Sequence, residues 1–206
     1  MLNTKFIIET FVSIFIIVDP IGLIPTFVSL TTSYSPKKIT RTVQEATLTL
    51  VFVLGVFTFW GNKILHFFGI TIPAFRIAGG VVIFMVAWQM LQAQRTRLKT
   101  TPEEEAYTLE QEEIGVVPLG VPMLAGPGAI TTVLVLVGDG GYLKKLIIFS
   151  VIFIIAFITY FILRWARQLA KWLGPTGLNI FTRLMGLILA AIAVQFILDG
   201  IKTAFP

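Results

Sequence analysis

The residues best placed to do chemistry are one acid and two proline–glycine interruptions, each set inside a long apolar run. Asp19 stands in Asp19-Pro20-Ile21-Gly22-Leu23-Ile24-Pro25, near the middle of an apolar run over residues 6–30. Gly126-Pro127-Gly128 stands near the middle of another, over 116–137. Both runs are long enough to cross a bilayer, and Pro and Gly at their centres stop an ordinary helix. Pro is favoured at the first position of a helix, with Asp or Gly accepted at the N-cap before it. Asp19-Pro20 and Gly126-Pro127 therefore each read as the start of a half-helix at the membrane midplane. Their first amides (Ile21, Gly22 and Leu23 in one, Gly128, Ala129 and Ile130 in the other) point toward the membrane centre. A helix N-terminus carries about half a positive charge, which suits a carboxylate.

The two ends are not equivalent. Asp19 brings a full negative charge and can cap its own helix; Gly126 does neither. The expectation is that the Gly126–Ile130 end takes an anionic group while Asp19 faces an ammonium, a cation or a proton. Together they suit a small zwitterion such as an amino acid. Gly22, Gly126 and Gly128 allow close backbone approach, and Thr26, Thr131 and Thr132 add hydroxyls. An acid at mid-bilayer costs about 2.5–3.5 kcal/mol even on lenient scales, which argues for a role. The plainer alternative is that Asp19 only caps its half-helix or pairs with a neighbouring span, and that each break is a kink.

The surrounding chain must hold these breaks inside a membrane. It is 56% hydrophobic and 13% charged, with mean hydropathy +0.88, outside the range of a soluble domain. The apolar runs are too continuous for surface helices, and no ten-residue alternation suggests a β-barrel. Asp-Pro, rather than a small-residue cleavage site, follows the first apolar core, so that run is expected to stay as the first span. The chain has no cysteine and one histidine, His66, so no metal site and no cofactor is expected. With no second acid in the span cores there is no acid–base pair for an enzyme, and no Gly-Lys nucleotide loop. The net charge of +5 comes from basic residues flanking spans, a topology signal rather than a nucleic-acid surface.

Six spans are expected, at 6–30, 43–60, 74–92, 116–137, 145–163 and 183–201. Pro20 and Pro127, Arg76 and Arg183, and Gly79 and Gly186 are each 107 residues apart. One offset relating three pairs reads as a duplication within a single transmembrane domain, 1–206. Repeat one is 1–92 and repeat two is 115–206, joined by a charged linker, 93–114, that holds six of the eleven acids. Each half has three spans, so the repeats are inverted, and helices 1 and 4 are broken at the midplane, the plan of many secondary transporters. Ten Lys and Arg flank connections one, three and five against six elsewhere, which places the linker in the cytoplasm and both termini outside. Gln89 and Gln195 are expected to hydrogen-bond across helices. Arg76 and Arg183 should reach head groups, and Glu45 should be solvated. Gly79-Gly80 and Gly186 should pack spans three and six against the broken helices.

At Asp19-Pro20-Ile21-Gly22-Leu23-Ile24-Pro25 and Leu124-Ala125-Gly126-Pro127-Gly128-Ala129-Ile130 the chain resembles the MarC family of six-span membrane proteins. The likeness extends through Phe75-Arg76-Ile77-Ala78-Gly79-Gly80. It implies a proton-driven transporter of small neutral amino acids such as glycine and alanine in the cell (plasma) membrane. Asp19, Pro20, Gly22, Gly126, Pro127 and Gly128 are the matching motif positions, and Thr131 follows them. One position departs: where the family often has Asn after the first motif glycine, this chain has Leu23. Two alternatives stand beside this reading: a transporter or exporter of another small solute, and a non-transporting scaffold. Whether Asp19 would bind H⁺ or Na⁺ is left open by the residues; the resemblance points to H⁺. The remaining partner is the lipid bilayer.

Overall fold

The computed structural model describes residues 4–92, 114–138 and 140–205. The charged linker, up to Glu113, and Asp139 of the Gly-Asp-Gly-Gly turn lie outside the described residues. Among those described, the protein is all-helical. The helices are α1 (Thr4–Val18), α2 (Ile24–Leu30), α3 (Pro36–Phe67) and α4 (Ile72–Leu91), then α5 (Gly115–Leu124), α6 (Pro127–Val137), α7 (Tyr142–Arg164) and α8 (Ala166–Ala204). Four of them are long and apolar enough to cross a membrane: α3, α4, α7 and the part of α8 from Thr176. The pair α5–α6, bent by 54°, makes a fifth if counted as one span. The first run does not form one span-length helix; it is α1 and α2 separated by a turn.

Local sequence sets most helix starts. Ser35 caps α3 by accepting from Lys38 N–H at 3.3 Å, with Pro36 in the first turn. Thr71 caps α4 through Ala74 N–H at 3.3 Å, with Pro73 in its first turn. Hydroxyl caps followed by Pro satisfy amides that the first turn leaves unpaired. α3 therefore begins seven residues before the apolar run it contains and takes in Lys37, Lys38 and Arg41. It also runs on through most of the expected second connection. The expected fifth connection is likewise mostly helical, interrupted at Trp165 between α7 and α8 and at Gly174, where φ is +61°.

α5 departs most from the sequence expectation of an ordinary helix. Val117 and Val121 adopt extended backbone (φ −130°, ψ 125° and φ −131°, ψ 127°). Each precedes a proline, Pro118 or Pro122, and the residue before Pro is driven out of the helical region. The remaining bonds span five residues, Leu119 N–H to Ile114 O at 3.2 Å and Ala125 N–H to Gly120 O at 2.9 Å. A five-residue turn returns Gly115 and Gly120 to one face. That face presses on α3: a Cβ at Gly115 would meet Glu45 Cβ at 2.6 Å, and one at Gly120 would meet Thr49 Cβ at 2.6 Å. Glu45 is correspondingly not solvated but largely covered, and pairs with Arg41 Nε at 2.7 Å.

The larger core joins α1, α2, α3, α5, α6 and α7 around Ile14, Phe27, Leu50, Leu119 and Ile152. α4 and α8 form a second seam in which small residues bring backbones together. A Cβ at Gly80 would lie 2.8 Å from Ala193 O, one at Gly186 3.1 Å from Ala87 O, and one at Gly200 3.0 Å from Pro73 O. Such close approach is what associates helices where lipid removes the hydrophobic drive. Gly80 and Gly186 thus join α4 to α8 rather than to the broken helices; of the expected glycines only Gly79 packs against one, under Thr131 of α6. Gln195 does not bridge helices either, since it donates to Asp199 of its own helix at 2.8 Å, and Gln89 is exposed.

Candidate functional site

The second break forms as its sequence dictates. Gly126 is the N-cap (φ −76°, ψ 173°), Pro127 opens α6, and Gly126 O accepts from Ile130 N–H at 3.1 Å. Ile130 N–H is therefore already used, whereas the amides of Gly128 and Ala129 have no acceptor among the described residues. Gly126 has no side chain to cap them, and a Cβ there would run into Pro122 O. The hydroxyls of Thr131 and Thr132 donate to Pro127 O at 2.8 Å and Gly128 O at 2.9 Å, so both donors are committed to their own helix.

This helix end opens on a cleft of about 90 Å³. Gly126, Pro127, Gly128 and Ala129 form one wall; Ile17 of α1, Ile83 and Val86 of α4, and Leu189 of α8 form much of the rest. A space of this size suits a small solute. Its walls are apolar side chains and the first turn of α6, so an anionic group there has one attractive place to sit, the helix N-terminus.

The first break is built differently. Asp19 takes a left-handed conformation (φ +43°), which Asp tolerates better than most residues. Its Oδ1 accepts from Gly22 N–H at 3.1 Å and its backbone O from Leu23 N–H at 3.2 Å. Two of the three amides expected to be unpaired, Gly22 and Leu23, are thus satisfied by Asp19 itself. Residues 20–23 make a separate turn, and α2 starts at Ile24, not at Pro20. Pro25 has no N–H to continue the ladder across the turn, and Ile24 N–H bonds Ile21 O at 3.1 Å instead. Gly22 is required because the Asp19 carboxylate folds over it: a Cβ there would overlap that carboxylate.

The structure therefore brings Gly126, Pro127, Gly128 and Ala129 together in one cleft and holds Ile130 and Thr131 just behind them. Asp19, Pro20, Ile21, Gly22 and Leu23 do not line that cleft; Ile17, two residues before Asp19, is the first helix's contribution to it. Pro20 and Leu23 are buried, and Ile21 is half-buried. The wall residues Ile17, Ile83, Val86 and Leu189 carried no signal in the sequence beyond being apolar. Among the described residues no cluster of His, Cys, Asp and Glu could hold a metal ion.

Residues 4–205 match the family described as "MarC family integral membrane protein". A UPF0056 membrane protein of Methanocaldococcus jannaschii is 40% identical over 198 residues, 96% of this chain and 87% of that protein. The UPF0056 membrane protein YhcE of Escherichia coli is 38% identical over 197 residues, 95% of this chain and 92% of that protein. One from Bacillus subtilis is 35% identical over 207 residues, 98% of this chain and 97% of that protein. No solved structure matches the chain at a significant level.

Proposed function

The chain belongs to the MarC family of integral membrane proteins, and we propose that it is a secondary transporter of small neutral amino acids, glycine and alanine among them, coupled to a proton gradient. It is a multi-pass membrane protein, and in this reading it lies in the plasma membrane, carries no cofactor and catalyses no chemical conversion. The observation that carries the reading is the cleft of about 90 Å³ at the N-terminus of α6, where the Gly128 and Ala129 amides have no acceptor among the described residues. The amides take the substrate carboxylate, and the glycine wall limits the solute to a small side chain. Asp19 lies off the cleft wall, so its part is the coupling ion rather than contact with substrate.

The architecture in this reading is six spans in two inverted three-helix repeats. The α2 C-cap is Thr31 and the α6 C-cap is Gly138, the same 107-residue offset that relates Pro20 and Pro127. A positive-φ glycine, Gly69, follows α3, and another, Gly174, stands 105 residues later within α8. Sidedness agrees as well. Lys144 Nζ lies 5.2 Å from the Phe6 ring, Asn62 touches Gly138, and Gly200 abuts Pro73, so both termini share one end with connections two and four. Arg167 meets Thr31–Tyr34, joining connections one and five at the other end, the cytoplasmic one by the charge count.

Uptake of radiolabelled glycine and alanine into liposomes carrying the purified protein tests the reading. Uptake above protein-free liposomes, raised by an inward proton gradient, is the expected result. Uptake at the protein-free level from folded protein would withdraw the substrate assignment.

A further inference from the structure

The C-terminal ends of the two inner half-helices are each held by a side chain from the opposite half of the chain. At the end of α2, the Arg167 guanidinium donates through Nη2 to Thr31 O, and to Thr32 O and Tyr34 O at 3.3 Å each. At the end of α6, Asn62 Nδ2 donates to Gly138 O at 2.7 Å. The acceptors Thr31 and Gly138 are the two C-caps and stand one repeat apart; the donors are 105 residues apart, close to the same offset. Neither half-helix has a basic residue in its own last turn, and Arg167 of α8 brings to the end of α2 the charge that favours a helix C-terminus. Asn62 Oδ1 is buried without a partner, which leaves the Gly138 contact as that side chain's sole hydrogen bond among the described residues.

We propose that Arg167 and Asn62 are reciprocal latches, positioning residues whose release lets the tied half-helix swing and open the central cleft to one face of the membrane each. This rests on the alternating-access reading above. A half-helix of 11 residues is a rod of about 16 Å, so displacing its tied end tilts the other end, where α6 borders the cleft. α2 does not line the cleft and acts on it through the Asp19 turn, which is hydrogen-bonded to α1 beside the wall residue Ile17. The Arg167 latch lies at the end shared by connections one and five, the Asn62 latch at the end shared by connections two and four. The latches are therefore at opposite faces, and one can release while the other stays closed. The ties are a few polar contacts to carbonyls, which break and reform without disturbing the apolar core.

The chain has no cysteine, so a single reporter, Met123→Cys in the cleft wall, can be labelled with a membrane-impermeant maleimide from either side of oriented vesicles. In Arg167→Ala the labelling rate from the face carrying connections one and five should rise about tenfold, the effect of losing a hydrogen bond to a charged group. In Asn62→Ala the rate from the opposite face should rise about threefold, as for a neutral bond. Arg167→Lys keeps the charge and should restore most of the wild-type pattern. Both variants opening the same face, both faces opening equally, or no change from either face would overturn the latches. Labelling requires no substrate, so sided labelling with no glycine uptake would keep the latches and remove only the substrate assignment.

Discussion

Gly128→Val should reduce glycine and alanine uptake to the level of protein-free liposomes while leaving a folded protein in the membrane. The Cβ of any residue at 128 would lie 2.8 Å from Ile83 Cγ1 and 3.4 Å from Ile17 Cγ2. Those side chains belong to α4 and α1 and are the cleft's opposite wall, so the added volume goes into the space that a substrate must use. Valine adds two further methyl groups beyond that first contact and fills it. Gly128→Ala supplies the graded version: overpacking by one methyl costs about 1–3 kcal/mol, or roughly tenfold in affinity, read as a raised KM for uptake. Glycine should suffer less than alanine, because the smaller solute leaves more of the reduced space unused. A variant that transports both as the wild type does would move the binding site away from the end of α6. Monodispersity in detergent and an unchanged helical circular dichroism signal separate this result from misfolding.

Asp19→Asn should abolish gradient-driven accumulation while preserving substrate exchange at equal pH. The substitution isolates charge from structure. An Asn side chain keeps the oxygen that accepts from Gly22 N–H, and Asn adopts the left-handed backbone of position 19 as readily as Asp does. The turn over 20–23 is therefore retained, and with it the start of α2 at Ile24. Only the group that can gain and lose a proton is removed. Asp19→Ala removes the cap as well and should cost about 1 kcal/mol more in stability, which a thermal melt in detergent detects as a lower midpoint relative to Asp19→Asn. Accumulation by Asp19→Asn at the wild-type level would take Asp19 out of the coupling mechanism and leave it as the cap of its own turn.

The second break was legible in the sequence because its signals are local. A glycine N-cap followed by proline at the first helical position dictates the start of α6, and the structure has that start where the residues put it. The first break was legible as a break but not in its register. Asp19 draws the Gly22 and Leu23 amides into its own turn, while Pro25 resets the ladder, so two successive prolines competed to open one half-helix. α5 carried a signal that hydropathy hides: Pro118 and Pro122, four apart, put Val117 and Val121 outside the helical region. Apolar runs marked the four long apolar helices but not their ends, because α3 continues past its apolar segment from a Ser35-Pro36 cap. The cleft's far wall and both latches are products of topology. Arg167 reaches carbonyls more than 130 residues away, and Asn62 one 76 residues away. Nothing near those positions in the chain anticipates either contact.

The most direct test of the central claim is counterflow, since it needs neither a proton gradient nor knowledge of the coupling ion. Liposomes carrying the wild-type protein are loaded with unlabelled glycine, diluted into a trace of radiolabelled glycine at equal pH, and sampled over time. A transporter with a cleft for small neutral amino acids produces a transient overshoot of label inside, which excess external alanine suppresses and excess leucine does not. Label that enters no faster than in protein-free liposomes, from folded protein, would contradict the claim that this cleft moves such solutes across the membrane.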